Sequence, residues 1–227
     1  MSGRLNPRGV LIDLVTPDPD RTDSAYRRLL GLDDDSPLAV TNGYLRPGAG
    51  TRSHTVLFGV DDLSSAERLL TRRGLSPDEP FGVTDAPPSS GQATGPEVPA
   101  PEITALDHLV ISAPSRDHAL ALFGATLDLD FRLDQEIGGG VRQLFFRSAD
   151  VVVEVITGGE PSTADADTCT LWGLAWRSTD IDATHRRLEG AGVDVSELRI
   201  GRKRGTRIFT VRDADLATRT AVISQAE

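Results

Sequence analysis

Residues 105–114 read ALDHLVISAP. The run has the look of a strand, and the Pro-Ser that follows separates it from an amphipathic stretch, DHALALF. At a period of two, Leu106, His108 and Val110 share one face. A lone histidine in such a strand can be a core residue bonded to the backbone, a metal ligand or an acid–base group. The segment by itself leaves all three open.

The same grammar recurs along the chain. VLIDLVTPDPDRTDSAYRRLLGL, TVLFGVDDLSSAERLLTRRGL, DHLVISAPSRDHALALFGATLDL and GLAWRSTDIDATHRRLEGAGV each place an apolar strand, a polar turn and an amphipathic helix in that order. Asp, Ser or Thr stands at each helix start, where a side-chain oxygen can cap free N–H groups. Gly31, Gly74 and Gly192 stand where helices stop. After the third helix come DFRLDQEI, VRQLFFRS and DVVVEVIT; after the fourth come VSELRI, TRIFTV and TRTAVIS. Residues 104–227 therefore read as two complete βαβββ units. Residues 1–85 read as a reduced pair, with one hairpin in LAVTNGYLR turning at Asn42-Gly43. Residues 86–103, rich in Pro, Gly, Ser and Ala, read as a linker. The fold class expected is α+β, with two tandem lobes of mixed sheet built from these paired βαβββ units.

Composition narrows the function. The net charge of −10 argues against a nucleic-acid or anionic-membrane partner. A single cysteine, Cys169, excludes an internal disulfide and a thiolate cluster, and with no nearby His it is not an activated thiolate. No apolar run approaches the roughly 20 residues of a membrane span. MSGRLNPRGV lacks a signal-peptide core. A cytoplasmic protein is expected, and a homodimer is compatible with it.

Paired βαβββ units opening on LDHLVI resemble the vicinal oxygen chelate superfamily, which includes glyoxalase I, extradiol dioxygenases, methylmalonyl-CoA epimerase and the bleomycin resistance proteins. ALDHLVISAP, VVVEVI, GLAWRSTDIDATHRRLEGAGV and GRKRGTRIFTVRD carry the resemblance to its glyoxalase-like branch. It implies an eight-stranded cup with metal ligands on the first and last strands of each unit. His108 and Glu154 match two of those positions, as catalytic residues and as ligands of a divalent ion such as Zn, Fe, Mn or Ni. Gly173 stands where another ligand would, and Thr220 or a neighbour stands where the closing Glu would. In the N-terminal pair Leu11 and Thr55 take the matching places, with His54 one residue away.

The resemblance implies a lyase or isomerase in which a metal stabilises an enolate-like charge while a base moves a proton. Ring cleavage fits less well, because the second histidine of a two-His-one-carboxylate site is missing. The alternative is a metal-free protein that binds or sequesters a small molecule, as resistance proteins do. Arg142, Arg202 and Arg207 are the candidates for gripping an anionic substrate, since guanidinium pairs with carboxylate or phosphate through two bonds. Trp172 and Trp176 are expected to pack under a helix.

Overall fold

The computed structural model describes residues 5, 7–50, 52–85, 101–158 and 167–225. The segment expected to be a linker therefore lies largely outside the described residues. Its last residues are held in place: Glu102 accepts from the Arg187 guanidinium at 3.0 Å, and Ile103 opens a strand.

The first half runs β1 (Val10–Thr16), α1 (Pro19–Leu30), β2 (Ala39–Val40), β3 (Gly43–Ala49), β4 (Thr55–Val60), α2 (Leu63–Arg72) and β5 (Phe81–Asp85). Its five strands form one sheet ordered β2-β3-β1-β4-β5. The second half runs β6 (Ile103–Ser112), α3 (Arg116–Ala119, continuing as a π-turn through Leu120–Thr126), β7 (Asp130–Gly138), β8 (Val141–Arg147), β9 (Val152–Thr157), β10 (Thr170–Ser178), α4 (Ile181–Gly190), β11 (Arg199–Ile200), β12 (Thr206–Val211) and β13 (Arg219–Gln225). These make an eight-stranded sheet ordered β11-β12-β13-β10-β6-β9-β8-β7.

Both sheets share a central pattern. In the larger one β6 runs antiparallel to β10, β9 lies parallel beside β6, and β13 lies parallel beside β10. In the smaller one β1 runs antiparallel to β4, flanked by parallel β3 and β5. The first half is the same plan with outer strands missing. Each helix starts as its sequence suggests. Asp18, Asp62, Ser115 and Asp180 accept a backbone N–H three residues on, satisfying donors that the first helical turn leaves free.

One apolar core joins the sheets. It fills the helix-bearing side of the larger sheet, where Tyr26 of α1 meets Trp176 edge-on at 6.1 Å and Phe81 of β5 meets Phe123 at 5.1 Å. Through these contacts the N-terminal lobe packs on the helix-bearing side of the larger sheet. Cys169 is buried in this core, and burial together with the Glu79 charge pushes its thiol up to about 12, so it is inert at neutral pH. No helix among the described residues is long and apolar enough to cross a membrane.

The expected hairpin forms, but it turns one residue earlier. β2 and β3 pair Ala39 with Tyr44 and Val40 with Gly43, so Thr41 and Asn42 make the turn, and neither takes a positive φ. Asn42 is instead a buried bridge between lobes. Its Nδ2 donates to the Leu106 carbonyl at 2.9 Å and the Asp150 carbonyl at 2.8 Å, and its Oδ1 accepts from Leu106 N–H at 2.8 Å.

Candidate functional site

The side of the larger sheet away from the helices wraps around a cleft of about 1680 Å³. Strand pairing explains which side chains reach it. Along β6, His108 pairs with Ala175 and Leu106 with Trp176, so β10 has no residue opposite Asp107. Such a bulge reverses the alternation locally. Asp107, His108 and Val110 line the cleft, whereas Leu106, Leu109 and Ile111 are fully buried in the core. The expected sharing of one face by Leu106, His108 and Val110 therefore fails at Leu106. Asp107, which simple alternation sends to the back, joins the site.

On β9, Glu154 lines the cleft between the core residues Val153 and Val155, and its register partner on β6 is Val110. His108 Nε2 lies 3.5 Å from Glu154 Oε2, and the two side chains are 19% and 14% exposed, sheltered yet reachable. The other Glu154 oxygen accepts from the Gln143 amide on β8, which in turn accepts from Gln135 on β7 at 3.1 Å. His108 Nδ1 lies 3.0 Å from Asp107 Oδ2, and Arg177 on β10 donates to Asp107 Oδ1 at 3.1 Å. Burial alone would raise the Asp107 carboxyl. The hydrogen bonds and charges of His108 and Arg177 outweigh it and hold the group below the usual carboxylate range. A continuous polar line, Gln135–Gln143–Glu154–His108–Asp107–Arg177, thus crosses five adjacent strands.

The repeated units show what the rest of the site lacks. The residue seven places before each N-cap is Leu11, Thr55, His108 or Gly173. Two places further along, the parallel neighbour strand contributes Arg46, Gly82, Glu154 or Ala221 respectively. His108 and Glu154 are thus the one unit's pair that combines an imidazole with a carboxylate. The closing position belongs to Ala221. Thr220 is buried on the core side and donates to the Thr218 carbonyl at 3.3 Å. His54 is a strut: its Nδ1 accepts from Val15 N–H at 3.0 Å, and its Nε2 lies 3.1 Å from the Ala217 carbonyl. That pattern requires the neutral Nε2–H tautomer, and burial lowers its pKa accordingly.

This donor set does not fit the divalent ion implied by the resemblance. A catalytic metal site uses three protein ligands and an open position. Here His108 Nε2 and Glu154 face a common point, while Asp107 sits at the opposite ring nitrogen. No group of three His, Cys, Asp or Glu side chains arranged for a metal occurs among the described residues. Gly173 cannot readily be converted into a ligand. A Cβ there would lie 2.9 Å from the Arg219 carbonyl oxygen of β13, closer than such atoms normally approach. Gly173→His is expected to destabilise the fold by about 1–3 kcal/mol, the usual cost of overpacking. Thermal melts with and without zinc check this: no zinc-dependent stabilisation should appear.

The proposed anion-gripping arginines separate. Arg202 lines the cleft. Arg142 lies on the opposite face of β8, its guanidinium bound to Asp134, which also holds Arg116 at 2.7 Å. Arg207 makes a two-pronged pair with Asp182 of α4 at 2.6 and 2.9 Å. The even spacing along β8 and β12 points both side chains away from the cleft. Trp176 is core, as expected, but Trp172 is 36% exposed and lines the cleft, with Arg219 4.4 Å above its ring. A second irregularity in β10, between Leu171 and Gly173, accompanies the turn of Trp172 outward. Asp107, Gln135, Gln143, Arg199 and Arg219 are among the cleft residues that sequence reasoning missed, and Trp172 faces the cleft rather than a helix.

Residues 107–210 match the model of the Glyoxalase/Bleomycin resistance protein/Dioxygenase superfamily. A search of curated proteins finds no match. Among solved structures, a mutant of 4-hydroxymandelate synthase from Streptomyces coelicolor is similar at 14% identity, covering 98% of this chain and 93% of that one, with a TM-score of 0.66. A xylose isomerase-like TIM barrel/4-hydroxyphenylpyruvate dioxygenase fusion protein is similar at 14% identity over 99% of this chain and 50% of that one, TM-score 0.64. Methylmalonyl-CoA epimerase from Mycobacterium tuberculosis is similar at 22% identity over 57% of this chain and 93% of that one, TM-score 0.47. At such identities the likeness of the first two speaks for the fold of both lobes and not for an activity. The strand order of the larger sheet and its paired units, with the family model matched over residues 107–210, show the glyoxalase/bleomycin resistance protein/dioxygenase fold in the second half of the chain.

Proposed function

We propose that the cleft is the active site of a small-molecule enzyme of the isomerase or lyase type, in which His108 and Glu154 move a proton at a carbon beside a carbonyl group. The observation that carries this reading is the 3.5 Å approach of His108 Nε2 to Glu154 Oε2 inside the cleft, with every other hydrogen-bonding edge of the pair already engaged. Asp107 holds the Nδ1 side of the ring, so the Nε2 edge is directed at Glu154 and at whatever enters the cleft. Gln143 fixes the other carboxylate oxygen, leaving Oε2 as the atom that gives or takes the proton. One proton moving across this gap suffices for general acid–base work. Because the donor set falls short of a metal site, no metal step is included, and ring cleavage at a facial-triad iron is not supported by the residues present.

Wash-in of deuterium from D2O into a panel of 2-oxo acids, 2-hydroxy ketones and acyl thioesters tests this. Exchange should be catalysed by the protein and unchanged after chelation. Exchange that chelation abolishes and a divalent ion restores would return the metal-assisted mechanism. Tight binding of panel members with no exchange would favour the second reading, sequestration, which Gly173 and Ala221 support by leaving half of the symmetric site without functional groups.

A further inference from the structure

The wall of the cleft across from His108 is basic. Arg199 on β11, Arg202 and Lys203 in the turn after it, and Arg219 at the start of β13 all line the cleft. None of the four forms an ion pair among the described residues. Their cleft-lining neighbours do: Arg132 binds Asp130 at 2.9 Å and Arg212 binds Asp194 at 3.3 Å. In a chain of net charge −10 carboxylates are plentiful, yet this wall has been left unneutralised. Arg219 is also held in position. Its guanidinium lies 4.4 Å from the centroid of the Trp172 ring, a contact that restrains the side chain while leaving its N–H groups free to donate.

Register gives the distance between the two poles. Arg219 pairs with Gly173, and Gly173 with Val110, two residues along β6 from His108. Arg219 is therefore two strands from His108, on the order of 10 Å between backbones at the usual strand spacing. The floor between them is Gly173, Ala175 and Ala221, the smallest side chains available. Room, an apolar floor and a cationic far end occur together.

We infer that the ligand of this cleft is an organic oxyanion: a carboxylate or phosphoryl group on an apolar body, its charge held by Arg199, Arg202, Lys203 and Arg219. That its other end meets His108 and Glu154 rests on the proposed function; the anion pole does not. Arg is suited to this role because its fork matches an oxyanion through paired bonds.

The test is calorimetric titration of the full chain with 4-phenylbutyrate, phenyl phosphate and the neutral 4-phenylbutanol at one low ionic strength. At least one anion should bind about tenfold or more tightly than the alcohol, weakening as salt is added. Whichever anion binds better distinguishes carboxylate from phosphoryl. Arg219→Gln, and separately Arg202→Ala with Lys203→Ala, should each remove most of that preference; the surface pair serves if Arg219→Gln fails to fold. His108→Ala should leave it intact. Equal binding of anions and alcohol, no binding of any probe, or a preference that survives both sets of substitutions overturns the inference. Anion preference without deuterium exchange would sink the proposed chemistry alone, and exchange without anion preference would sink this inference alone.

Discussion

His108→Ala and Glu154→Gln are each expected to lower the deuterium wash-in rate by about 10²- to 10⁴-fold, the range in which a positioned acid or base contributes. The two losses should not add. Both side chains serve one proton gap, and groups that act as a unit lose most of their effect when either is removed. Glu154→Gln retains an acceptor towards Gln143 but has no ionisable oxygen towards His108. Asp107→Asn should give a smaller loss, about tenfold to a hundredfold, the size seen when a partner that orients an imidazole is removed. All three side chains face the cleft rather than the core, so thermal melts should change little. A double variant losing the product of the single losses would show that the two residues work independently, contrary to the shared-proton reading.

Much of this site was legible in the sequence, and the illegible part has a definite physical origin. Four strand–helix units could be read because capping residues and helix stops are local signals, and the four N-caps form as expected. His108 and Glu154 could be paired because both lie on regularly alternating stretches of their strands, and the resemblance set those strands side by side. Alternation fails where the ladder does. The bulge at Asp107 and the irregularity beside Trp172 are set by pairing between β6 and β10, strands about 70 residues apart, and nothing local announces them. Arg142 and Arg207 illustrate the complementary error. A basic residue in a promising stretch says nothing about its face, and here carboxylates on other elements, Asp134 and Asp182, hold both outside the cleft. The closing position shows the same sensitivity to register: one residue separates Thr220 in the core from Ala221 on the cleft floor.

Asn42→Ala is expected to cost about 3–5 kcal/mol of stability, more than a typical substitution, although Asn42 reads as a turn residue. Its side chain lies beside Leu106 at the point where β9 does not extend. The parallel ladder between β6 and β9 begins only at His108 and Val152. Asn42 supplies what a neighbouring strand would: an acceptor for Leu106 N–H and a donor for its carbonyl, with a second bond to Asp150. Alanine leaves these buried groups without partners, at about 1–3 kcal/mol for each one stranded. Asn42→Asp should do no better, because it keeps the acceptor, loses both donated bonds and sets a carboxylate against two carbonyl oxygens. Denaturant unfolding with an unchanged slope measures the loss. The effect should reach the cleft as well. Leu106 is the residue immediately before the bulge, and freeing its backbone loosens the strand conformation that brings Asp107 to His108. Deuterium exchange should therefore fall in Asn42→Ala even under conditions where the variant is fully folded. If stability changes by less than about 1 kcal/mol, the three bonds are not the junction they are taken to be. If stability falls but exchange is untouched, the bulge is held by β10 alone, and the N-terminal lobe supports the fold without shaping the site.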